Sequence, residues 1–510
     1  MTDELLRTIP HLDEIAHRGP FAGTPAKHTE NFRERSAREN KLLPSLEDAI
    51  RATGLTDGMT ISFHHHFRNG DHVVNRVVDT LAKMGFKNLT LAASSLAAVH
   101  APLIEHIKNG VITHIETSGL RGELAEQISR GLMDFPIVFR SHGGRAAAIR
   151  SGELHIDVAF LGAPSCDPYG NANGYSREEG GTIACGSMGY ARTDAKYADK
   201  VVILTNRLVQ YPNAPWAIPE YDVDYIVVEE DIGDPKGIMS GATRYTKNPK
   251  ELLIAQTAAQ VIDAAGYLYD GFSMQMGSGG ASLATARFIR QMMLDKSIRC
   301  RFALGGITGQ ITAMHEEGLI DRVLDVQSFD LDAARSLKHN RFHHQIGATY
   351  YASFLSPAAV DQLDFVVLSA LEIDTDFNVN VLTGSDGVIR GAVGGHPDTA
   401  AGASLSVVVA PLTRGRIPSV IDRVNTIVTP GSTVDVVVTD QGVAVNPRRP
   451  EVAEKLRRAG IHVCTIAQLK DKAEALVGRP DPIRYQDRVV GVVMYRNNTV
   501  IDVIRQIDED

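Results

Sequence analysis

The stretch QLDFVVLSALEIDTDFNVNVL, residues 362–382, decides the fold, because HIDVAFLGAPSCDPYGNANGY, residues 155–175, repeats its pattern. Asp157 and Asp364 lie 207 positions apart, and five further identical pairs keep this spacing. In both copies an apolar run leads into polar residues, as where a buried parallel strand ends. The sequence thus contains a duplicated strand end, with Ser165 in the first copy and Glu372 at the equivalent position of the second.

Two more pairs of segments repeat in the same order. Residues 57–71 resemble 270–284 at an offset of 213, and residues 109–115 resemble 317–323 at an offset of 208. Three collinear matches with nearly constant spacing indicate the duplication of a whole domain. Strand patterns alternate with amphipathic helix patterns throughout, which predicts an α/β fold with two tandem related domains built on parallel sheets.

The predicted domain bounds follow from this repeat. Residues 1–45 are a polar N-terminal arm, residues 46–248 form the first α/β domain, and residues 249–510 form the second. The second domain is extended by a strand–helix unit and a C-terminal hairpin, whose tight turn we expect at the Asn497–Asn498 pair.

Composition excludes several classes of protein. The net charge of −9 comes without a basic run, which argues against a nucleic-acid partner. No apolar run approaches the ~20 residues of a membrane span, and the first residues lack the apolar core of a secretion signal. The four cysteines are scattered without a C-x-x-C pair. A cytoplasmic protein is therefore expected.

Glu372 is the first candidate for chemistry. A carboxylate placed where a buried strand emerges is partly desolvated, which raises its pKa and makes it reactive. The carboxyl edge of a parallel sheet is also where ligands bind. Asn380 follows in the same segment and joins the candidate substrate-binding residues, although its presence in both copies also favours a structural role in the turn.

Two glycine segments are candidates for binding an oxyanion or an acyl arm. In QMGSGGAS, residues 275–282, a strand meets a helix, but the segment is neither a Walker loop nor a dinucleotide fingerprint. In GAVGGHPD, residues 391–398, the backbone N–H groups of Gly394 and Gly395 are free to point at an oxyanion.

Cationic side chains near the glycine segments are candidates for binding carboxylates. Five arginines qualify by position: Arg68, Arg121, Arg145, Arg244 and Arg390. Of these, Arg68, Arg145 and Arg390 are our predicted substrate contacts, together with His64 from the run His64-His65-His66. Adjacent histidines point in different directions and no E-x-x-H spacing accompanies them, so a substrate or hydrogen-bonding role is favoured over zinc.

The motifs QMGSGG (275–280), SALEID (369–374), FNVN (377–380) and VGGHPD (393–398) together resemble those of the CoA-transferase superfamily. Within it, the chain from about Leu46 onward resembles the citrate lyase alpha-subunit family, through segments such as MTISFHHHFRNGD and TSGLRGELAEQISRG.

The resemblance implies a reaction and its partners. Such a subunit exchanges acetyl for citryl on the thiol of an acyl carrier protein and releases acetate. The thiol belongs to a dephospho-CoA-derived arm on the gamma subunit, and a beta subunit then cleaves the citryl thioester. No metal and no covalently bound cofactor are implied for this chain, and an oligomer is expected.

The resemblance also implies roles for individual residues. Glu372 matches the glutamate that forms a glutamyl thioester in covalent CoA transferases, and Gly394 and Gly395 match the turn near the acyl oxygen. The thioester arm is expected to contact Gln275, Gly277, Gly279 and Gly280. Thr399 departs from the phenylalanine usual in the covalent families, and citrate enzymes generally use direct attack, so both mechanisms stay open.

Three alternatives to this reading follow from the residues. The first is a general acyl-CoA:carboxylate CoA-transferase or an acyl-CoA hydrolase. The second is a noncatalytic scaffold subunit that only docks the carrier protein. The third, a dinucleotide-binding oxidoreductase, is disfavoured by the missing fingerprint.

Overall fold

A computed structural model describes residues 41–176, 183–239 and 246–508 of the chain. The predicted N-terminal arm lies outside the described residues except for its last five, and Arg244 also lies outside them. Two large sheets, of ten and nine strands, form the frame.

The first half of the chain supplies eleven strands and six α-helices to the described structure. The strands are β1 (Leu42–Leu43), β2 (Thr60–Phe63), β3 (Leu89–Ala93), β4 (Ile112–Thr117), β5 (Ile137–Phe139), β6 (Val158–Gly162), β7 (Ser165–Cys166), β8 (Ala172–Tyr175), β9 (Ile183–Gly186), β10 (Lys200–Thr205) and β11 (Tyr225–Val228). The helices are α1 (Leu46–Thr53), α2 (Val73–Lys83), α3 (Leu103–Lys108), α4 (Glu123–Ser129), α5 (His142–Ser151) and α6 (Gly189–Tyr197).

The second half continues the same alternation. Its strands are β12 (Phe272–Met276), β13 (Cys300–Ile307), β14 (Val323–Ser328), β15 (His343–Gln345), β16 (Phe365–Ser369), β17 (Glu372–Asp374), β18 (Val379–Asn380), β19 (Leu405–Val409), β20 (Thr413–Arg414), β21 (Ile417–Pro418), β22 (Val420–Ile421), β23 (Val436–Thr439), β24 (Gly442–Val445), β25 (Val463–Cys464), β26 (Tyr485–Met494) and β27 (Val500–Ile507). Its helices are α7 (Pro249–Ala264), α8 (Gly280–Lys296), α9 (Gly309–Glu316), α10 (Leu331–His339), α11 (Ala348–Ala352), α12 (His396–Gly402), α13 (Pro450–Arg458) and α14 (Ile466–Val477).

Short 3₁₀ helices complete the described elements. They are Arg68–Gly70, Ala98–His100, Glu220–Asp222, Pro235–Ile238, Ala359–Gln362 and Gly431–Thr433.

The two sheets share one strand order, which confirms the predicted duplicated α/β fold. The first runs β1-β11-β10-β6-β2-β3-β4-β5-β26-β27, and the second runs β25-β24-β23-β19-β16-β12-β13-β14-β15. Seven strands of the first, β11 to β5, correspond one to one with β23 to β15 of the second. Strands β6 and β16 are apolar and almost wholly buried, as expected of parallel strands covered by helices on both faces.

The local signals at helix ends and turns agree with the structure. Helix α1 begins at the cap Ser45, whose hydroxyl accepts from the Asp48 N–H at 3.1 Å, and it ends at the left-handed Gly54. Asn498 turns the C-terminal hairpin with φ 60°, as the Asn pair predicts. No helix within the described residues combines the length and the apolar character needed to cross a membrane.

The C-terminal hairpin differs from the sequence prediction, which grouped it with the second domain. Strand β26 pairs in parallel with β5 of the first sheet, with Val492 opposite Val138. The hairpin thereby covers a sheet edge that would otherwise expose unpaired backbone groups. Its Val493 and Ile504 are buried in the first core. The local pattern specifies a hairpin but not which edge the hairpin joins.

The duplicated segment folds in the same way twice. Ser165 pairs with Asn173 across β7 and β8, and Glu372 pairs with Asn380 across β17 and β18. In the turns between them, Asp167 accepts from the N–H and the side-chain amide of Asn171, and Asp374 accepts from the same groups of Asn378. These Asp–Asn turns are structural in both copies.

The two halves dock reciprocally. The Gly394 N–H donates to the Ser118 hydroxyl at the end of β4, and the Ser187 N–H donates to the Ser328 hydroxyl at the end of β14. The distances are 3.1 and 3.2 Å. Each half therefore places one turn against the strand ends of the other, and the space between them is shared.

Candidate active site

A cavity of about 750 Å³ lies between the two halves. Eight of the twelve predicted site residues line it: Arg68, Gln275, Gly277, Gly279, Gly280, Arg390, Gly394 and Gly395. Both glycine segments belong to the second half, whereas Arg68 comes from the first. The cavity thus joins groups that are more than 200 positions apart in the chain.

The glycine loop after β12 exposes backbone to the cavity. The Gly277 N–H donates to Val367 O and to the Ser282 hydroxyl, both at 2.8 Å, which holds the loop against the sheet. Helix α8 begins at Gly280 without a side-chain cap. A side chain at Gly279 would overlap the Ser369 hydroxyl. The start of α8 is therefore bare backbone suited to a negatively charged or carbonyl oxygen.

The glycine turn before α12 has one committed and one uncommitted N–H group. The Gly394 N–H donates to Ser118, whereas no acceptor among the described residues takes the Gly395 N–H. A Cβ on Gly395 would lie 2.5 Å from the hydroxyl of Tyr351, a residue buried in the cavity wall. Only glycine fits between that hydroxyl and the turn.

Tyr351 is fixed by the predicted site residue Gln275. The Gln275 side-chain N–H donates to the Tyr351 hydroxyl at 2.9 Å. Burial raises the pKa of Tyr351, so the phenol stays protonated in the neutral range. The pair forms a polar wall beside the glycine turn.

Arg68 and Arg121 concentrate positive charge in the cavity. Burial and the neighbouring Arg121 lower the pKa of Arg68 to about 10, and burial lowers the pKa of Arg121. The Arg68 guanidinium lies over the Phe329 ring, 4.7 Å from its centroid, and donates to Ile238 O at 3.0 Å. Because a bound carboxylate would offset the proximity of the two cations, this wall favours an anionic ligand.

Arg121 was not among our final predicted substrate contacts, although the sequence carried a signal for it. It follows β4 of the first sheet, in the segment Gly119–Gly122, and lines the same cavity as the glycine segments of the second half. Arg390 also reaches the cavity, but it forms an ion pair with Asp386 and its side chain is 56% exposed. Arg68 and Arg121, which are partly buried, are therefore better candidates than Arg390 for binding a carboxylate.

Glu372 lies behind the cavity wall, which is formed at this point by Leu371. Its carboxylate accepts from the side-chain amides of Asn380 and Asn425, both at 2.8 Å, and from the Asn425 N–H at 3.1 Å. Burial raises its pKa, against the effect of these hydrogen bonds. At the equivalent place in the first half, Ser165 accepts from Asn213 at 3.1 Å. The carboxylate is thus a held group rather than an exposed one.

Three other predicted residues are not brought to the cavity. Arg145 forms a buried bidentate ion pair with Asp194 at 2.7 and 2.9 Å. Asn380 is engaged with Glu372 and with Thr383. The His64 Nε2–H donates to Gly162 O at 2.8 Å.

In the histidine run, His65 rather than His64 lines the cavity. The run follows the end of β2 and turns, with the His66 N–H donating to His64 O at 3.0 Å. His64 and His66 approach each other, with ring centroids 5.3 Å apart, while His65 stacks on Tyr190. The sequence identified the histidine run as a candidate, but which histidine faces the cavity depends on where β2 ends.

Other cavity residues gave no motif of their own. His142, Tyr190 and Tyr351 sit on helices α5, α6 and α11, which the sequence presents as ordinary helix patterns. Only the packing of the two halves brings them to one cavity.

Asp398 ties the two halves together beside the cavity. It accepts from the Ser141 hydroxyl at 2.8 Å and from the Gly143 N–H at 2.9 Å, both at the start of α5. It is fully buried, and burial raises its pKa to about 6, although these hydrogen bonds and Arg496 act in the opposite direction.

We expect the Asp398 contribution to the free energy of unfolding to fall as the pH rises from about 4 to about 6. The unfolded carboxyl group loses its proton near 3.8, but the folded protein keeps it up to about 6. The folded state therefore binds more protons in this window, and stability is lost as the pH rises. The full change is about 3 kcal/mol.

Urea unfolding of wild type and Asp398→Asn across this pH window measures the effect. Because Asn does not titrate, the stability of wild type minus that of D398N should decrease with pH. Parallel pH profiles for the two proteins would contradict the prediction.

Comparison with known proteins places the chain in a family context. The family model described as citrate lyase, alpha subunit (CitF), matches residues 39–507. The citrate lyase alpha chain of Escherichia coli (strain K12) is 58% identical over 481 residues, which cover 94% of both chains.

Solved structures agree with this result. The alpha subunit of citrate lyase from Streptococcus mutans, solved in complex with citrate, is 57% identical, with a TM-score of 0.90 over 92% of each chain. A malonate decarboxylase hetero-tetramer from Pseudomonas, in complex with malonate, contains a chain of 16% identity and TM-score 0.64 over 86% of each chain. The latter likeness concerns the fold alone.

Proposed function

The chain belongs to the citrate lyase alpha-subunit family, and from this membership we propose that its central cavity exchanges acetyl for citryl on an acyl carrier protein. A citrate lyase alpha chain is one subunit of a larger complex and has CoA-transferase-type activity. The observation that carries the proposal is the meeting, in one cavity, of two partly buried arginines from the first half and two glycine segments from the second.

Citrate is the substrate that binds at the arginine side of the cavity. Arg68 and Arg121 supply two guanidinium groups for the carboxylates that do not react, and planar guanidinium groups match carboxylates bidentately. The relative from Streptococcus mutans was solved in complex with citrate, which supports citrate as the ligand. Arg390, at the rim and paired with Asp386, contributes less.

The acyl thioester approaches from the glycine side. Gly277, Gly279 and Gly280 present backbone without side chains, which leaves space for a slender acyl arm. The proposed arm is the dephospho-CoA-derived group of the gamma subunit, the acyl carrier protein. The beta subunit, the citryl-carrier lyase, is the proposed consumer of the product.

The exchange takes place in two acyl transfers. A citrate carboxylate oxygen attacks the acetyl carbonyl carbon, the carbon–sulfur bond breaks, and a mixed anhydride and a thiolate form. The thiolate then attacks the citryl carbonyl carbon and acetate leaves. Both tetrahedral intermediates carry an oxyanion, and the Gly395 N–H is a donor available to it. Holding the anhydride and the thiolate in one cavity makes the second transfer effectively intramolecular.

Direct attack is the route that the position of Glu372 supports. Its carboxylate is buried behind Leu371, and three N–H groups hold its two oxygens. A glutamyl thioester would require breaking these bonds and moving the side chain into the cavity. We propose instead that Glu372 shapes the segment between β17 and β18 that borders the site.

Glu372→Gln is therefore expected to lower kcat by no more than about 100-fold, whereas loss of a covalent nucleophile costs about 10⁶-fold. Hydroxylamine or borohydride treatment of the enzyme with acetyl donor should leave Glu372 unmodified by mass spectrometry. Asp376→Asn, at an exposed position of the same segment, is the matched control. Donor-dependent labelling of Glu372 would establish the covalent route instead.

The function itself is tested by an exchange assay. The chain is mixed with acetyl-CoA or the acetylated carrier protein and citrate, and acetate release and citryl thioester are measured. Exchange with citrate well above that with other carboxylates supports the proposal. Equal exchange with simple carboxylates favours the general CoA-transferase, and citrate-independent thioester cleavage favours the hydrolase. An inactive chain within an active complex favours the scaffold.

A further inference from the structure

The glycine turn by itself offers an incomplete oxyanion site. The Gly394 N–H is engaged with the Ser118 hydroxyl at 3.1 Å, which leaves the Gly395 N–H as the free backbone donor of the pair. Sites that stabilise a tetrahedral oxyanion place two or more donors around it. The second donor must come from another part of the cavity wall.

His142 faces this turn from the opposite half. Its backbone N–H donates to Gly394 O at 2.9 Å, so the start of α5 is anchored to the turn itself. Asp398 holds the flanking Ser141 and Gly143. The His142 side chain lines the cavity, and its Nε2 lies 3.8 Å from where a Cβ on Gly394 would sit. The backbone bond and the bonds to Asp398 therefore hold the imidazole close to the turn.

The surroundings of the ring select its tautomer. Nδ1 is buried and has no hydrogen-bond partner among the described residues. A buried N–H without an acceptor is rarer and more costly than a buried lone pair without a donor, so the proton belongs on Nε2. The ring packs on Tyr190 with centroids 4.4 Å apart, which fixes its plane. The Nε2–H group is thus left to point into the cavity.

The ring also stays neutral. Burial, together with the positive charges of Arg145 and Arg68, lowers the pKa of His142 to about 3. A neutral imidazole donates one hydrogen bond without releasing a proton in the physiological range.

We infer that His142 is a further catalytic residue, whose Nε2–H donates to the oxyanion of the tetrahedral intermediates alongside the Gly395 N–H. The inference rests on the proposed acyl exchange in this cavity. Each half of the chain then contributes one hydrogen-bond donor to the oxyanion site. The docking of the two halves is therefore needed to complete that site. It also makes His142 a hydrogen-bond donor rather than a general base.

The test compares His142→Ala, His142→Gln and His142→Asn in the citrate-dependent exchange assay. The Gln side-chain amide reaches nearly the position of Nε2, whereas that of Asn stops near Nδ1. We expect H142A and H142N to lower kcat by about 100-fold with little change in the KM for citrate, since one oxyanion donor is worth about that factor. H142Q should recover most of the loss. Exposed His462→Ala and H462Q serve as matched controls.

Further measurements separate this role from a structural one. Thermal unfolding should show H142Q and H142N equally folded, so that a difference in kcat between them reports the donor position. The kcat profile should show no ionisation of His142 between about pH 5 and about pH 9. Wild-type kcat in H142A, equal loss in H142Q and H142N, or an ionisation near neutral pH that disappears in H142Q would each overturn the inference. A wild-type chain without citrate-dependent exchange would instead reject the proposed function.

Discussion

Replacing Arg121 by Met should lower kcat/KM for citrate by about 100-fold, because each hydrogen bond to a charged group contributes on the order of 1.5–3 kcal/mol. The R68M/R121M double variant, which loses two such groups, should lower kcat/KM by about 1000-fold or more. Both side chains line the cavity and both are desolvated, so an ion pair formed there is screened little by water. The KM for the acetyl donor should stay within about twofold, because the donor binds at the glycine side.

Arg121 is the cleaner of the two positions. Arg68 also donates to Ile238 O and has a positive φ of 53°, so its replacement carries a structural cost as well. Arg121→Lys, which keeps the charge but loses the planar fork, should fall between wild type and R121M. The exposed Arg416→Met is the matched control. An unchanged KM for citrate in R121M would move the carboxylate site elsewhere, with Arg390 as the next candidate.

Gly395→Ala should reduce kcat by about 100-fold or more, because displacing a reacting group by about 1 Å costs this factor. The backbone of Gly395, with φ −93°, accepts any residue, so the effect is steric. The new methyl would stand 2.5 Å from the Tyr351 hydroxyl and would push apart the Tyr351–Gln275 pair and the turn.

The double variant G395A/Y351F tests this cause directly. Removing the hydroxyl frees the space that the methyl needs, so thermal stability and part of the activity should return relative to G395A. Gly318→Ala is the control: its φ of 78° makes Ala unfavourable by about 1 kcal/mol, but nothing lies within 4 Å and the cavity is remote. A G395A protein with wild-type kcat would remove the glycine turn from the active site.

The features predicted well from the sequence are those that depend on neighbouring residues. The turn at Asn498, for example, follows from backbone preferences within a few residues. The glycine loop and the glycine turn reach the cavity because parallel strands end at a common edge, which the alternating pattern already implies.

The features that differ depend on distant partners. Arg145 sits beside two glycines and a run of alanines, which favoured a cleft, yet Asp194 on the next helix binds it in the core. Glu372 does follow a buried strand as expected, but Asn425, more than 50 positions later, donates to its carboxylate and helps to hold it in place. No local sequence pattern indicates that an oppositely charged or amide side chain from elsewhere in the fold will bind the residue.

The amino-acid sequence by itself determined that this protein is a duplicated α/β chain, with the second copy carrying the glycine segments and the carboxylate. A repeat and a strand–helix alternation are properties of residue order, so they survive without coordinates. Only the tertiary structure decided that one cavity serves both halves, that Arg121 and His142 face it, and that Glu372 and Arg145 do not. These are outcomes of packing between segments about 50 to more than 200 positions apart, and burial and the available partners determine the side-chain direction there.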